Sequence, residues 1–172
     1  MKVYLSLGSN KNDRYSYIKM ALDLIEGQIG RIIQKSSVYR TESWGYCDSE
    51  YLNMCIILEC DWNPEDLIRM TQSIECQLGR TEKTEINELN TPVYKAREID
   101  IDILFCDDLI VDLDSFKIPH PRIPERMFIL KPLDQIAHGF LHPVLNKSVR
   151  SLLLCCTDDS YVEKYEVPLN PI

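Results

Sequence analysis

The stretch Glu98-Ile-Asp-Ile-Asp-Ile-Leu-Phe105 alternates acidic and apolar residues until its last pair. This period of two predicts a β-strand, because successive side chains in a strand point to opposite faces of the sheet. The apolar residues share one face and the acidic residues the other: Ile99, Ile101 and Ile103 against Glu98, Asp100 and Asp102. The pattern therefore predicts a sheet with an apolar core face and a face that collects carboxylates.

Asp100 and Asp102 form a candidate metal site on this strand. Neighbours on one face of a strand lie about 7 Å apart, so both carboxylates can bind one or two divalent cations between them. A solvated acidic face with no bound ion is the alternative interpretation. We favour the metal site because aspartate is depleted in strands and because hard cations prefer oxygen ligands.

Length and composition limit the class of protein. A chain of 172 residues suits one domain, and we expect residues 1–172 to form it. The net charge of −8 and the pI near 4.9 argue against a general binder of nucleic acids or anionic membranes. No window reaches the 18 or so apolar residues of a membrane span. The N-terminal residues predict a first strand and no signal peptide.

The seven cysteines predict reduced thiols. Their number is odd, they form no Cys-x-x-Cys pair, and most lie within apolar patterns. Reduced core thiols therefore explain them better than a disulfide framework or a zinc site. A cytoplasmic location is consistent with this interpretation.

The hydrophobic periodicities predict the element order β, α, β, β, α, β, followed by helices. Strands are expected at residues 3–7, 32–40, 51–60 and 98–105, a short return strand at 109–111, and helices at 13–28, 63–78 and 125–136. The proline-rich segment 118–124 is expected to be non-helical. This order is typical of an α+β ferredoxin-like sandwich, in which helices pack on a mostly antiparallel sheet, here with a C-terminal helical addition.

Basic residues flank the acidic strand. They are Arg80, Lys83, Lys95 and Arg97 before it, and His120, Arg122 and Arg126 after it. Taken singly, each arginine is more often a solvated surface group. Their concentration in an acidic protein favours an anionic ligand that bridges metal and basic groups, such as a nucleoside triphosphate. The common glycine-rich phosphate-binding loops are absent, so side-chain cations and metals would have to bind the phosphates.

Five motifs then occur in order along the chain. They are Gly8-Ser9-Asn10, the Ser-Val-Tyr-Arg-Thr of residues 37–41, Tyr51-Leu52-Asn53, the acidic strand, and Pro119-His120-Pro121-Arg122 followed by Arg126 and Phe128. Over residues 3–136 the chain resembles the 6-hydroxymethyl-7,8-dihydropterin pyrophosphokinase family of folate biosynthesis. The resemblance implies the ferredoxin-like fold and a Mg²⁺-dependent enzyme that transfers diphosphate from ATP to the hydroxymethyl group of the reduced pterin, releasing AMP. Both partners would be small molecules, with no nucleic acid or membrane bound, and we expect a monomer.

The resemblance also implies roles for individual residues. Catalytic roles fall to Arg97, Asp100, Asp102 and Arg126, with Asp100 and Asp102 as ligands of two Mg²⁺ ions. Nucleotide contacts fall to Gln72, Glu75, Arg80, Arg97, Ile103, His120, Arg122 and Arg126. Pterin contacts fall to Thr41, Glu42, Trp44, Tyr51, Asn53 and Phe128, of which Tyr51 and Phe128 match an aromatic pair on either side of the ring.

The sequence departs from the family pattern after the second helix. Family members often carry Gly-Arg-x-Arg there, whereas Gly79-Arg80-Thr81-Glu82 has an acid at the last position and Lys83 as a possible replacement. Tyr94 also stands where the family often has a tryptophan.

Two rival functions remain open from the residues alone. One is a non-enzymatic ferredoxin-like module that binds RNA, which the low pI and the missing aromatic RNA-recognition pattern oppose. The other is a different metal-dependent nucleotidyl or phosphoryl transferase that uses the same aspartate pair.

Overall fold

A computed structural model describes residues 1–42, 50–80, 85–86, 92–93 and 97–166. Trp44, Lys83, Tyr94 and Lys95, which the sequence analysis singled out, lie outside the described residues, as do Thr81 and Glu82. The elements are β1 (Lys2–Ser9), α1 (Arg14–Gln28), β2 (Arg31–Lys35), β3 (Tyr39–Thr41), β4 (Tyr51–Glu59), α2 (Pro64–Gln77), β5 (Glu85–Ile86), β6 (Pro92–Val93), β7 (Asp100–Cys106), β8 (Val111–Leu113), β9 (Phe116–Ile118), a 3-10 turn (Ile123–Glu125), α3 (Met127–Ala137), α4 (Val149–Cys155) and β10 (Val162–Lys164).

The main sheet has the strand order β10-β3-β4-β1-β7, and β2 pairs with β4 beside β3. Every one of these pairs is antiparallel. The strand β4 lies in the interior of the sheet, as its almost continuous apolar sequence predicts. The predicted α+β ferredoxin-like fold is confirmed. Its acidic strand, β7, lies at one edge.

The two helices that follow β1 and β4 begin at residues that cap their first amides. The side chain of Asp13 accepts a hydrogen bond from the Ser16 amide at 3.1 Å, and that of Asn63 accepts one from the Asp66 amide at 2.9 Å. Helix α2 ends before Gly79, whose φ of +103° is an angle that glycine adopts readily. Both helices therefore agree with their predicted limits to within two residues.

The predicted strand 32–40 is in fact two strands, β2 and β3. Between them Ser36 stays attached to β4, because its amide donates to the Cys55 carbonyl at 2.9 Å and its Oγ accepts from the Cys55 amide at 3.0 Å. A serine hydroxyl can replace a backbone acceptor in this way and so interrupt a strand. The alternation of polar and apolar residues does not indicate that a side-chain hydroxyl replaces a backbone acceptor here, so the interruption of the strand was not predicted.

Two further predictions after β7 are wrong in detail. The short return strand at 109–111 is a hairpin of β8 and β9. The segment 118–124 is not wholly non-helical, because Ile123–Glu125 forms a 3-10 turn just before α3. Proline is compatible with the first positions of a helical turn, whose amides have no partner within the turn.

The sheet separates two apolar clusters. The first lies against α1 and α2 and contains Ile99, Ile101 and Ile103, as predicted from their alternation. The second lies against α3 and α4. A register shift between β1 and β7 places both Leu104 and Phe105 in the second cluster. This bulge explains why the alternation of residues 98–105 stops at its last pair.

The cysteines in the described part of the chain are all free, consistent with the predicted thiols. Cys55, Cys60 and Cys106 are buried, whereas Cys76 and Cys155 are exposed and do not belong to a core. In the same part of the chain, the helices are too short or too polar to cross a bilayer.

Candidate active site

A row of three paired residues crosses the sheet at one end. Gly8 of β1 lies opposite Asn53 of β4 on one side and opposite Asp100 of β7 on the other. Residues directly opposite one another in adjacent strands point to the same face. Because Gly8 has no side chain, the space between Asn53 and Asp100 stays open. A Cβ at Gly8 would lie only 2.8 Å from Oδ1 of Asn53.

The first cleft lies on this face. Of the residues predicted to bind the pterin, all that the structure describes line it: Thr41, Glu42, Tyr51, Asn53 and Phe128. The sixth, Trp44, lies outside the described residues. The amide of Asn53 donates to Oγ1 of Thr41 at 2.8 Å, and both side chains are buried. The cleft therefore has a polar inner end and aromatic groups beside it.

The second cleft runs along the free edge of β7, between α2 and the β8–β9 hairpin. Its lining includes most of the residues predicted to bind the nucleotide: Gln72, Glu75, Arg80, Arg97, Ile103 and His120. Arg126 lines only the first cleft, and Arg122 lines neither. Three residues line both clefts, namely Arg97, Asp100 and Asp102. The two clefts therefore meet at the acidic pair.

Glu75 closes the side of the second cleft that faces α2. Its side chain is buried. Its Oε1 accepts a hydrogen bond from the Ile101 amide at 2.8 Å and lies 2.5 Å from Nη1 of Arg80. Burial, with Asp100 nearby, raises the pKa of Glu75 to about 7. An edge strand leaves amides without a strand partner, and Glu75 supplies the acceptor for one of them.

The ionised forms of Asp100 and Asp102 are stabilised to different degrees. Asp100 receives two charged hydrogen bonds, from Arg80 to Oδ1 and from Arg97 to Oδ2, both at 2.9 Å. The Nη1 atom of Arg126 lies 3.9 Å from Oδ2 of Asp102. Burial and the Asp100 carboxylate raise the pKa of Asp102 to about 7, against the opposing effect of the arginines. The site therefore concentrates negative charge that a bound cation would stabilise.

The acidic pair suits a metal that completes its coordination shell with other ligands. Within the described ranges, no group of three or more His, Cys, Asp or Glu side chains converges as a metal cage. Mg²⁺ is usually bound by one or two carboxylates together with water and substrate phosphates. Two carboxylates at the junction of two clefts fit that donor set.

His120 lines the second cleft, and its surroundings favour the neutral imidazole. Burial, with Arg126 and Arg122 nearby, lowers its pKa to about 4. Its Nδ1 accepts a hydrogen bond from the Arg122 amide at 3.2 Å, so the ring proton resides on Nε2. His120 can therefore donate a hydrogen bond to an anion without carrying a charge.

Arg126 lies between Phe128 and Asp102 in the first cleft. Its guanidinium carbon lies 5.4 Å from the centre of the Phe128 ring, and its Nη1 approaches Asp102. Only 11% of the Arg126 side chain is exposed, so its charge acts where solvent screens it weakly. The motif that contains Arg126 and Phe128 places these two residues close together in sequence. It does not show that the arginine faces Asp102.

Some lining residues were missed from sequence. Ser6 lies opposite Asp102 in the paired strands β1 and β7, and the hairpin contributes Asp114, Ser115 and Lys117 to the second cleft. The alternation of β1 contained a signal for Ser6, because a polar residue there lies between apolar neighbours that face the core. No such signal pointed to Asp114, Ser115 and Lys117, because the β8–β9 hairpin itself was not predicted.

Comparisons with known proteins agree with these observations. A sequence model of the family described as 7,8-dihydro-6-hydroxymethylpterin-pyrophosphokinase matches residues 4–138. A Porphyromonas gingivalis protein named 2-amino-4-hydroxy-6-hydroxymethyldihydropteridine pyrophosphokinase is 40% identical over 143 residues, which cover 82% of this chain and 93% of that protein. Proteins of the same name from Bacillus subtilis and Aquifex aeolicus are 36% and 33% identical, over 77% and 86% of this chain and 76% and 88% of their own lengths.

Solved structures show the same fold. A crystal structure of wild-type Plasmodium falciparum HPPK-DHPS with SDX-DHP matches 90% of this chain with a TM-score of 0.67 and 19% identity. A structure of HPPK-DHPS in complex with substrates matches 90% of it with a TM-score of 0.68 and 15% identity. This chain spans 43% of the length of each of those two chains. At these identities the likeness concerns the fold alone.

Proposed function

Because the chain belongs to the 7,8-dihydro-6-hydroxymethylpterin pyrophosphokinase family, we infer that it transfers diphosphate from ATP to the hydroxymethyl group of 6-hydroxymethyl-7,8-dihydropterin, releasing AMP, in folate biosynthesis. The observation that best supports a site for this reaction is the junction of the two clefts at Arg97, Asp100 and Asp102. A transfer between two substrates needs the acceptor oxygen and the phosphorus to meet, and effective orientation contributes much of the rate enhancement.

In this proposal the first cleft binds the reduced pterin. The buried Asn53 and Thr41 side chains supply donors and acceptors for the edge of the heterocycle. Tyr51 and Phe128 supply apolar surface for its two faces. Such a pocket selects a flat, polar-edged ring, because an analogue without the edge groups would leave buried polar atoms unpaired.

The second cleft binds ATP. Arg80, Arg97 and the neutral His120 provide donors for phosphate oxygens, and the α2 residues Gln72 and Glu75 lie at its other side. Arg126, on the pterin side of the acidic pair, is placed to stabilise charge that develops on the transferred phosphates. The pterin hydroxyl attacks the β-phosphorus and loses its proton to solvent, and the bond from that phosphorus to the oxygen of AMP breaks. No strong protein base is required.

We propose that Asp100 and Asp102 bind two Mg²⁺ ions. The chemistry of the donor set supports this, since both groups are carboxylates on one strand face with room for phosphate and water ligands. When bound, Mg²⁺ would neutralise charge on the triphosphate and favour displacement at the phosphorus. Arg80 and Arg97 hold Asp100 in place through its two oxygens.

Phosphorus NMR tests the reaction directly. Protein, ATP, Mg²⁺ and the reduced hydroxymethylpterin are mixed, and the phosphorus products are identified. We expect AMP and a pterin diphosphate in equal amounts. Formation of ADP would refute transfer of diphosphate, and a chelator of Mg²⁺ should stop product formation if the metal is required.

We further propose that residues 1–172 form a single pyrophosphokinase domain that acts as a monomer in the cytoplasm. Both apolar clusters pack against the same sheet, which supports a single domain. Free thiols on the surface, such as Cys76 and Cys155, suit a reducing compartment.

Gly8→Ala is expected to weaken pterin binding. The added Cβ would lie 2.8 Å from Oδ1 of Asn53, so the Asn53 side chain must shift, which weakens its hydrogen bond to Thr41. We expect KM for the pterin to rise about tenfold, the equivalent of one buried hydrogen bond. Steady-state kinetics with each substrate varied would measure the change.

Gly27→Ala is the matched control, because no atom lies within 4 Å of a Cβ at that helical position. It should leave KM unchanged. A Gly8→Ala enzyme with an unaltered KM for the pterin would show that Asn53 does not contact this substrate.

A further inference from the structure

The segment that follows α4 returns to the elements that carry the first cleft. We define residues 157–165 as the C-terminal strap. Its strand β10 pairs with β3, so that Val162 lies opposite Thr41. The Lys131 ammonium of α3 donates to the Val162 carbonyl at 2.6 Å, and the Tyr165 amide donates to the Val38 carbonyl at 2.8 Å. The strap therefore joins β3 to α3, although it lies beyond the residues 4–138 matched by the family.

Within the strap, Asp158 binds the start of α3. Its Oδ2 accepts a hydrogen bond from the Met127 amide at 2.8 Å, and its Oδ1 accepts one from the Ser160 amide at 3.0 Å. The residue at the N-cap position, Arg126, makes no side-chain capping bond. The first amides of a helix need acceptors from outside the helix, and negative charge is favourable there. Asp158 meets both needs from a distant part of the chain.

Met127 lies between two residues of the site. Arg126 precedes it and Phe128 follows it, and both line the first cleft. We propose that Asp158 is a positioning residue, whose carboxylate fixes the first turn of α3 and thereby the placement of Arg126 and Phe128 against the pterin. The role rests on the proposed function of the first cleft, but the hydrogen bond to Met127 can be tested independently of it.

The effect of Asp158 on pterin binding depends on how often the first turn of α3 is in the conformation that binds the pterin. Without an acceptor for the Met127 amide, the first turn of α3 frays more often. Frayed states misplace the ring of Phe128, and apparent affinity falls in proportion to the competent fraction. Loss of a helix cap changes such an equilibrium by about fivefold, which sets the upper limit for the rise in KM for the pterin that we expect in an Asp158→Ala enzyme.

The experiment compares three variants with the parent. Asp158→Ala removes the carboxylate. Asp159→Asn removes the same charge at the next, exposed residue. Ser148→Ala removes the cap of α4, where Oγ accepts from the Ser151 amide at 3.1 Å, and so removes a helix cap away from the first cleft. Each is measured for KM of the pterin, urea unfolding, and hydrogen exchange of the Met127 amide by NMR.

We expect only Asp158→Ala to raise KM for the pterin and to accelerate exchange at Met127, while Ser148→Ala lowers stability without changing either. An unchanged KM in Asp158→Ala would overturn the proposal. An equal rise in KM in Ser148→Ala would also overturn it, because any loss of stability would then suffice. An equal rise in KM in Asp159→Asn would overturn it as well, because the loss of one negative charge would then explain the effect.

If Asp158→Ala fails to fold, Asp158→Asn decides. Its amide oxygen can replace one carboxylate acceptor but not both, and it lacks the charge, so exchange at Met127 and KM should both rise about twofold. Parent values for both would overturn the proposal. A parent protein that does not turn over the pterin would refute the proposed function, whereas the exchange of Met127 would still decide whether Asp158 caps α3.

Discussion

Asp102→Asn is expected to lower kcat by at least about a thousandfold without lowering the stability of the metal-free protein. Turnover falls because the substitution removes one of two proposed metal ligands at the junction of the clefts. Stability does not fall because burial and the Asp100 carboxylate disfavour the ionised form of Asp102, as its raised pKa of about 7 indicates. A neutral amide of the same shape avoids that repulsion.

Asp100→Asn should inactivate the enzyme to a similar degree but should also destabilise it. Asp100 pairs with two guanidinium groups, and its loss would leave Arg80 and Arg97 without their shared carboxylate. We expect the free energy of unfolding to fall by about 1–2 kcal/mol. The two variants therefore distinguish Asp102, whose charge serves only binding, from Asp100, whose charge also stabilises the fold.

Both variants are measured by product formation at saturating substrates and by urea unfolding in the presence of a chelator. Asp108→Asn, an exposed acid just after β7, is the control and should match the parent in both assays. Loss of several kcal/mol of stability in Asp102→Asn would mean that the acidic face is structural. Normal turnover in either site variant would contradict the proposed metal site.

Arg126→Ala is the second large effect, and we expect kcat to fall about 100- to 1000-fold. The guanidinium lies 3.9 Å from Asp102 in a poorly screened position, so it can stabilise charge that develops only as the phosphates are transferred. Affinity for a non-hydrolysable ATP analogue should change less than tenfold. This division between kcat and binding is typical of an interaction made mainly in the transition state.

Arg126→Lys should recover only part of the lost rate, because an ammonium keeps the charge but cannot form the same planar contacts. Arg69→Ala serves as a surface control, since Arg69 pairs only with Asp66 in the exposed part of α2 among the contacts described. Single-turnover kinetics and calorimetric binding of the analogue distinguish the two effects. If the whole loss appeared as weaker nucleotide binding, Arg126 would be a ground-state contact.

The sequence by itself determined the features that depend on neighbouring residues. The alternation of residues 98–105 predicted the strand and the opposite faces of Ile101 and Asp102, because side-chain direction in a strand has a period of two. Asn63, followed by Pro64, predicted the start of α2, because a helix terminus is satisfied by residues next to it. The ordered motifs were sufficient to indicate the family, and the comparisons confirmed it.

Only the tertiary structure decided which distant residues share a site. The register of β1 against β4 and β7 places Gly8 between Asn53 and Asp100, and pairing across strands follows from the whole sheet, not from local pattern. Glu75 is buried because it supplies an acceptor to the free edge of β7, which requires knowing which strand is at the edge. Asp158 caps α3 because the chain returns across β3, and no local propensity encodes a contact between residues so far apart in sequence.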